Sequence, residues 1–361
     1  MSKPNQTMQR KSASASSGEQ QSLSSHQETD VEIKASLSEL TAAVQKVQEA
    51  SSWWDLYGVD WCYIASGFAM IPPGLLLLRH QTWPPFIAGL ILLGFYYGML
   101  KTKMSHLASH SALCRSKLVN RFWQLFFIEF CGSFSAEYAI GAHVKVHHPY
   151  TNVIGLGDSS TWRVPSLPRY IYLFVAPLFL PVMTPIGAVV FLLQDKKVLK
   201  AFQCFIVVSV GLVANISLLM FVSGLTAKAA VLSTLVYRAL MDIPYIHVNI
   251  FQHIGLPMYA RDSRPPRLHL MSSGVLNLSH NLLLDWNFGH SLIACHIEHH
   301  LFPKLSDNMC LKIQPIVQQY LQEHGLPYQK RGYFDRLKFF TKEYKMLMVD
   351  APPITQFIGV Q

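Results

Sequence analysis

Two uncharged apolar segments, residues 61–78 and 83–100, lie near the start of the chain. Each has 18 residues, which is just enough for a helix to span the hydrocarbon core of a bilayer. Only the four residues from Arg79 to Thr82 separate them, so the two predicted helices form an antiparallel hairpin. Lysines and arginines follow the second segment, which places this end of the hairpin in the cytosol.

Three further apolar segments follow, at residues 170–194, 201–222 and 227–251. The second is uncharged and long enough to span a bilayer. The third carries Arg238 and Asp242 one helical turn apart, and charges inside a membrane are usually paired, so we predict an ion pair between them. The first contains three prolines, which makes it the weakest candidate for a transmembrane helix.

The composition is typical of an integral membrane protein, since 50% of the residues are hydrophobic and only 14% are charged. We therefore predict an all-α polytopic membrane protein with four transmembrane helices in two hairpins, interfacial helices and a cytosolic helical cap. The net charge of +9 lies mostly in loops beside apolar segments, where it suits anionic lipid headgroups better than nucleic acid. Six dispersed cysteines without a C-x-x-C pair argue against a disulfide framework or a zinc ribbon.

The two ends of the chain are more polar than its middle. Residues 1–30 are rich in Ser, Gln and Thr, and they predict a disordered tail because they hold too few apolar side chains to form a core. Residues 31–51 show apolar positions at near-helical spacing and predict a cytosolic helix. Residues 311–361 predict a cytosolic C-terminal cap that includes an amphipathic helix.

Histidine is concentrated in three clusters. The stretch from Cys295 to Pro303 holds three imidazoles within five residues, a similar group precedes it, and a pair one turn apart follows the second apolar segment. Positions i, i+3 and i+4 share one face of a helix, so the rings of a cluster can converge on one point. The eight histidines are His106, His110, His143, His147, His148, His296, His299 and His300.

Neutral imidazole is the commonest protein ligand for metals, so the clusters predict a metal centre. A zinc site uses three or four protein ligands, which makes eight histidines too many for one zinc ion and favours two metal ions. Imidazole suits iron, zinc and copper, and iron fits best if the chemistry is oxidative. A zinc-dependent membrane hydrolase would need only about three histidines and is therefore disfavoured.

A single metal centre constrains the topology. All three clusters must lie on one side of the membrane, so an even number of transmembrane helices separates the second cluster from the third. Three candidate segments lie between them, and one of these must fail to cross. We predict that residues 170–194 form the re-entrant or interfacial segment, because of their prolines and because lysines follow them.

The three clusters resemble the histidine boxes of the integral-membrane fatty acid desaturase family, which read H-x(3,4)-H, H-x(2,3)-H-H and H-x(2,3)-H-H. Leu301-Phe302-Pro303 after the third box is also similar to that family. The resemblance covers residues 52–310, which we interpret as a membrane desaturase domain. It implies a centre of two Fe ions that activates O2 and removes two hydrogens from adjacent carbons of an acyl chain.

The resemblance also implies a ninth histidine ligand. Stearoyl desaturases of known structure place it at the cytosolic end of the fourth transmembrane helix, with an asparagine one turn earlier. His253 and Asn249 match in spacing and position, so they are predicted as the ninth ligand and as a direct or water-bridged ligand. Ligating histidines usually donate their second N–H to a carboxylate or carbonyl. The carboxylates predicted for this role are Glu137, Asp158, Asp285 and Glu298.

The implied partners are a fatty acyl or lipid substrate, membrane lipids, and cytochrome b5 with its reductase as electron donor. Front-end desaturases carry a fused cytochrome b5 domain and a glutamine at the start of the third box. This chain shows no His-Pro-Gly-Gly haem motif and its third box begins with His296, so we expect a separate donor and disfavour front-end regioselectivity. The family's usual location implies the endoplasmic reticulum, with the boxes and both termini cytosolic.

The histidine spacing leaves the reaction open between desaturation and hydroxylation, because one oxidant can support both. A non-catalytic, lipid-binding member of the family is a further alternative. A lost ligand would mark such a member, and the sequence shows none. Acyl-CoA, phospholipid acyl chains and sphingoid bases are all compatible substrates.

Overall fold

Helices make up nearly all of the regular structure in the computed structural model, which describes residues 35–80, 82–156, 164 and 166–349. The predicted tail at 1–30 lies outside these residues. Two short strands, β1 (Asn277–Leu278) and β2 (Lys330–Arg331), pair in parallel. The α-helices of the described residues are α1 (Leu37–Glu49), α2 (Val59–Ala69), α3 (Ile71–Leu77), α4 (Trp83–Met99), α5 (Ser105–Ser109), α6 (Lys117–Trp123), α7 (Ala136–Ala139), α8 (His148–Tyr150), α9 (Leu180–Gln194), α10 (Val198–Phe221), α11 (Ala227–Ala239), α12 (Asp242–Phe251), α13 (Arg267–Gly274), α14 (Leu282–Phe288), α15 (His296–Leu301), α16 (Asp307–Glu323) and α17 (Tyr333–Lys342).

Several of these helices are joined by π-helical turns, and some continue through them as one longer helix. α4 and α5 are joined in this way, and so are α6 and the chain that follows it. The π-helical segments of the described residues are Trp54–Gly58, Leu100–Met104, Gln124–Cys131, Ile140–His147, Ile171–Val175 and Lys345–Val349. The short 3₁₀ segments in the same part of the chain are Ala176–Phe179, Arg261–Ser263 and His290–Leu292.

Four helices of the described residues are long and apolar enough to cross a membrane, and four is the predicted number. Their membership differs from the prediction, because Ile171–Gln194 is one of them and residues 61–78 are not. Many large apolar side chains on these helices are exposed, as expected of surfaces that contact lipid. The four helices are Trp83–Ser109, Ile171–Gln194, Val198–Phe221 and Ala227–Phe251.

The first predicted transmembrane segment is interrupted. α2 and α3 are separated at Met70, and α3 carries Pro72 and Pro73 in its first turn. Proline has no N–H to donate and restricts the residue before it, so this pair begins a new helix instead of extending the first. The predicted hairpin is nevertheless present, since α3 packs against α4 in a core that includes Leu93.

Both ends of the helix Ile171–Gln194 lie close to segments that precede predicted histidine ligands. Near its start, the Leu173 carbonyl lies 3.0 Å from His247 Nε2. Just after its end, Lys197 Nζ lies 3.7 Å from a carboxylate oxygen of Glu137. His247 and Glu137 each stand six residues before a predicted ligand. The re-entrant or interfacial position of residues 170–194 stays a prediction, since this helix is among the four that are long and apolar enough to cross a membrane.

The predicted ion pair between Arg238 and Asp242 is wrong. Asp242 pairs instead with Lys101 of the preceding hairpin, at 2.5 Å. Arg238 donates to the Ser133 hydroxyl at 3.0 Å and to the Cys131 carbonyl at 3.2 Å. The guanidinium therefore stabilises the turn that precedes the second histidine box. A backbone carbonyl can replace a carboxylate as the partner of an arginine.

The C-terminal helices close the end of α12 that leads to His253. Arg336 of α17 donates to the carbonyls of Phe251 and Ile254, at 2.9 and 2.6 Å. These carbonyls lie at the end of a helix, where they lack partners within the helix itself. Phe340 is fully buried, with its ring centroid 4.9 Å from that of Phe251. The predicted cap is thus in contact with the predicted ninth ligand's helix.

Candidate metal centre

The first of two histidine clusters draws its members from three separate stretches of chain. The ligand atoms of its members all lie within 4.8 Å of one another. His143 Nε2 lies 3.1 Å from His106 Nε2 and 3.3 Å from His148 Nε2. His148 Nε2 in turn lies 3.1 Å from His299 Nε2. The five members are His106, His110, His143, His148 and His299.

The second cluster lies directly beside the first. His147, His253 and His300 offer ligand atoms within 4.8 Å of one another. His296 joins them, because its Nε2 lies 2.9 Å from His253 Nε2 and 3.2 Å from His300 Nε2. The ring of His148 stands 4.3 Å from that of His300, which links the two clusters. All nine predicted histidines are therefore brought together in two groups.

The third box does not converge on one point. α15 directs His296 and His300, which are four residues apart, into the second cluster, and it directs His299 into the first. Our expectation that the three rings of a box share one focus is wrong for this helix. A single short helix between the two groups can supply both, because successive positions on a helix point about 100° apart.

The second box owes its geometry to π-helical winding. His143 and His147 lie in the π-helical segment Ile140–His147, and His148 follows it directly. Hydrogen bonds from i to i+5 bring residues five apart onto one face. His143 and His148 can therefore reach the same cluster, while His147 points to the other.

Hydrogen bonds at the outer ring nitrogens orient several of these imidazoles. His296 Nδ1 donates to the Ser291 carbonyl at 2.9 Å. The Thr151 hydroxyl donates to the His147 carbonyl at 2.6 Å, so its oxygen accepts from His300 Nδ1 at 3.1 Å. With the proton on Nδ1, the lone pair of each Nε2 faces the cluster, which is the tautomer that binds a metal there.

The two clusters fit two metal ions. Neighbouring ligands about 2.0–2.1 Å from an ion lie roughly 3.0–3.4 Å apart. The Nε2 separations between His296 and His253 and between His143 and His148 are 2.9 and 3.3 Å. Among the described residues His110 Nε2 is buried without a hydrogen-bond partner, a state that coordination would relieve.

Burial keeps these imidazoles neutral, which is the form that binds metals. Burial, reinforced by the neighbouring histidines, holds the pKa of His143, His148, His299 and His300 well below its usual range. Burial likewise lowers the pKa of His296 to about 3. The donor set is therefore uncharged at neutral pH and can accept cations without first losing protons.

These shifts predict a pH dependence for the metal-free protein. An unfolded histidine takes up a proton near pH 6.5, whereas the folded His296 does so near pH 3. Between these values the unfolded state binds more protons, so we expect the free energy of unfolding to fall as the pH drops below about 6.5. Each such histidine contributes about 1.4 kcal/mol per pH unit. Denaturing-detergent titrations of chelator-treated protein would measure this, and a constant unfolding free energy from pH 7 to 5 would contradict it.

Asn249 and the predicted carboxylates make other contacts. Asn249 Nδ2 donates to the Tyr245 carbonyl at 2.7 Å, and its role as a direct or water-bridged ligand stays a prediction. The buried Glu298 carboxylate accepts from Asn277 Nδ2 at 3.0 Å and from the Tyr328 hydroxyl at 2.8 Å, and burial raises the pKa of Glu298 to about 7. It therefore supports the third box through these two contacts, neither of which is to one of the nine histidines.

Of the other three predicted carboxylates, the two in the described residues also contact side chains outside the nine histidines. Glu137 contacts Lys197, as described above, and Asp285 contacts two histidines outside the nine, His280 and His290. Asp158 lies outside the described residues. The atoms that orient His296 and His300 are instead a carbonyl and a hydroxyl. The spacing of residues along the sequence does not reveal such partners.

A buried charge network anchors the centre to the rest of the fold. Lys103, three residues before His106, has its Nζ 2.5 Å from Asp307 and 3.2 Å from Asp60. Asp307 also accepts from the backbone N–H of His290 and Ser291, at 2.8 and 2.7 Å. Burial alone would raise the pKa of Asp307, but the charge of Lys103 outweighs this effect and brings that pKa to about 2. The network joins the hairpin, the stretch before the third box and α16.

Comparisons with known proteins agree with this geometry. A family model described as fatty acid desaturase matches residues 81–332, a range that holds all nine histidines. Fatty acid desaturase 6 of Bos taurus is 50% identical over 329 residues, which are 91% of this chain and 96% of the relative. Fatty acid desaturase 6 of Homo sapiens is 49% identical over 328 residues, 91% of this chain and 92% of the relative.

More distant relatives match a smaller part of the chain. A Delta(8)-fatty-acid desaturase of Borago officinalis is 29% identical over 126 residues, 33% of this chain and 28% of the relative. The family match covers well over half of the chain, and the histidine clusters lie inside it. This chain belongs to the fatty acid desaturase family.

Proposed function

We propose that the chain is an O2-dependent fatty acyl desaturase whose two histidine clusters hold a di-iron centre. The observation that carries the proposal is the pairing of five and four imidazoles around two adjacent positions. Imidazole-rich, carboxylate-free sites suit iron and other borderline metals. When bound, the two irons would supply the oxidising power of O2 for removing two hydrogens from adjacent carbons of an acyl chain.

The protein's own part in this reaction is to hold the metal ions, to orient their ligands and to exclude bulk water. Seven of the nine imidazoles are at most 8% exposed, which keeps bulk water away from the ion positions. His143 and His147 are half-buried. We infer that the acyl chain approaches the centre from the side of the segment Ile140–His147, because these two imidazoles are less buried than the other seven.

A cleft beside the second cluster carries two arginines that suit an acidic electron donor. The cleft has a volume of about 520 Å³. Its lining is mostly uncharged, and Arg264 and Arg267 supply its positive charge. Arg267 donates to the His300 carbonyl at 2.6 Å, so a single side chain separates the cleft from a metal ligand. We assign this surface to cytochrome b5, because complementary charge speeds association of transient partners. Its reductase would reduce cytochrome b5 again after each electron transfer.

The same proposal sets the location of the protein. The basic stretch after the first hairpin lies on the side of the histidine clusters, which makes that side cytosolic. We place the chain in the endoplasmic reticulum, where acyl substrates, cytochrome b5 and the reductase would meet it.

The test combines metal content with product analysis. Microsomes of a host expressing the chain would receive saturated acyl-CoA, O2, NADH, cytochrome b5 and its reductase, and lipids would be analysed by mass spectrometry. We expect at least two iron ions per purified chain and an O2-dependent product lighter by two hydrogens. Zinc in place of these two irons, or a hydroxylated product in place of an unsaturated one, would contradict the proposal.

A further inference from the structure

A second group of potential ligands lies outside the nine histidines. His280, Asp285 and His290 each offer a ligand atom, and these atoms lie within 4.8 Å of one another. Asp285 follows the start of α14, His280 precedes that helix, and His290 begins the 3₁₀ turn after it. We propose that these three side chains bind one divalent first-row transition-metal ion, in addition to the two ions of the proposed function.

The distances between donor atoms suit an ion. His280 Nδ1 lies 3.2 Å from Asp285 Oδ2, and His290 Nδ1 lies 3.4 Å from Asp285 Oδ1. Ligands about 2.0–2.2 Å from a tetrahedral ion stand roughly 3.3–3.6 Å apart. A rotation of the carboxylate would therefore bring all three donors around one position.

Two of the donors are buried without a hydrogen-bond partner. Asp285 has a side chain only 8% exposed, yet its Oδ1 has no such partner among the described residues. His290 Nδ1 faces that oxygen at 3.4 Å and is unpartnered as well. An ion between them would satisfy both atoms, whose burial is otherwise costly.

The ligand types and the access route select the kind of ion. Two imidazoles and one carboxylate with open positions form a set that holds zinc or ferrous iron, whereas magnesium and calcium prefer oxygen ligands. His280 has a side chain 45% exposed, so the site opens to the surface on that side. An ion can thus enter without passing through the nine-histidine centre.

The site is mechanically linked to that centre. His290 N donates to Asp307, and the next residue, Ser291, accepts from the ligand His296. Bound metal at His290 would therefore stiffen the segment that orients one of the iron ligands. This makes the third ion a structural element of the enzyme and gives it no step in the reaction.

The test uses an exposed member of the site, so that folding is preserved. Purified protein loaded with Zn2+ alone or with Fe2+ alone, then dialysed, would be analysed for metal per chain in wild type and His280→Ala. We expect the variant to retain one ion fewer, while His80→Ala, an exposed control in the turn before α4, retains the full number. The metal that is lost distinguishes zinc from iron.

A second pair of variants separates this proposal from the proposed function. In a background of His299→Ala and His300→Ala, the nine-histidine centre is disrupted, and adding His280→Ala should still remove one ion. Co2+ added to that background should give a visible ligand-field spectrum that loses the contribution of one ion with His280→Ala. Equal metal content with and without His280, in both backgrounds, would overturn the site and leave two histidine–aspartate contacts.

Discussion

Replacing His299 with alanine is expected to lower desaturated product by more than about 100-fold. Its Nε2 lies 3.1 Å from that of His148 in the first cluster, where five imidazoles surround one position. Loss of groups that only orient metal ligands already costs about 10–100-fold, so loss of a ligand costs more. The same variant should retain less iron, because the first position is weakened while the second keeps its four histidines.

The matched experiment uses His300→Ala for the second cluster and His80→Ala as the control. His80 is exposed in the turn between α3 and α4, so its loss should leave product and iron unchanged. Product and iron would be measured on the same preparations, with size-exclusion profiles to show that each variant is folded. Wild-type product from either ligand variant would refute the assignment of the clusters as the reactive centre.

Replacing Lys103 with methionine is expected to destabilise the protein by about 3–5 kcal/mol. Its side chain is 1% exposed and lies between the carboxylates of Asp60 and Asp307. Removing the cation leaves two buried carboxylates facing each other, and neither can be rehydrated without opening the structure. Because Asp307 also binds the backbone before the third box, iron retention should fall with stability.

The measurement is unfolding in mixtures of mild and denaturing detergent. Lys342→Met is the matched control, since that lysine is 80% exposed and pairs with Glu343 at 3.4 Å. Solvent-exposed ion pairs contribute about 0–1 kcal/mol to the free energy of unfolding. If Lys103→Met and Lys342→Met unfold at the same detergent composition, the network does not stabilise the fold in the way proposed.

The sequence predicted the centre better than it predicted the contacts around it. Eight histidines of the two clusters follow from histidine spacing alone, and His253 follows from a resemblance to a known family, because a lone histidine carries no spacing signal. The division into two clusters was not predictable. It depends on the π-helical winding of Ile140–His147 and on the direction in which α15 points His299.

Long-range partners account for most of the other differences. Asp242 was assigned to Arg238, its neighbour one turn away, but pairs with Lys101 from the preceding hairpin. Lys103 and Asp307 are 204 residues apart in the chain, and neither stands out by spacing. The break at Met70 was visible as a proline pair, yet the hydropathy of residues 61–78 outweighed it in our prediction.

The division of each cluster among distant stretches of chain also bears on biosynthesis. The first cluster combines His106 from the first hairpin with His299 from α15, and the second combines His147 with His300. A nascent chain therefore has neither complete ligand set until both hairpins are in place and α15 has left the ribosome. In the enzyme that we propose, metal insertion belongs to the last stage of maturation, so a chain stalled before α15 would reach the membrane without a complete site for either ion.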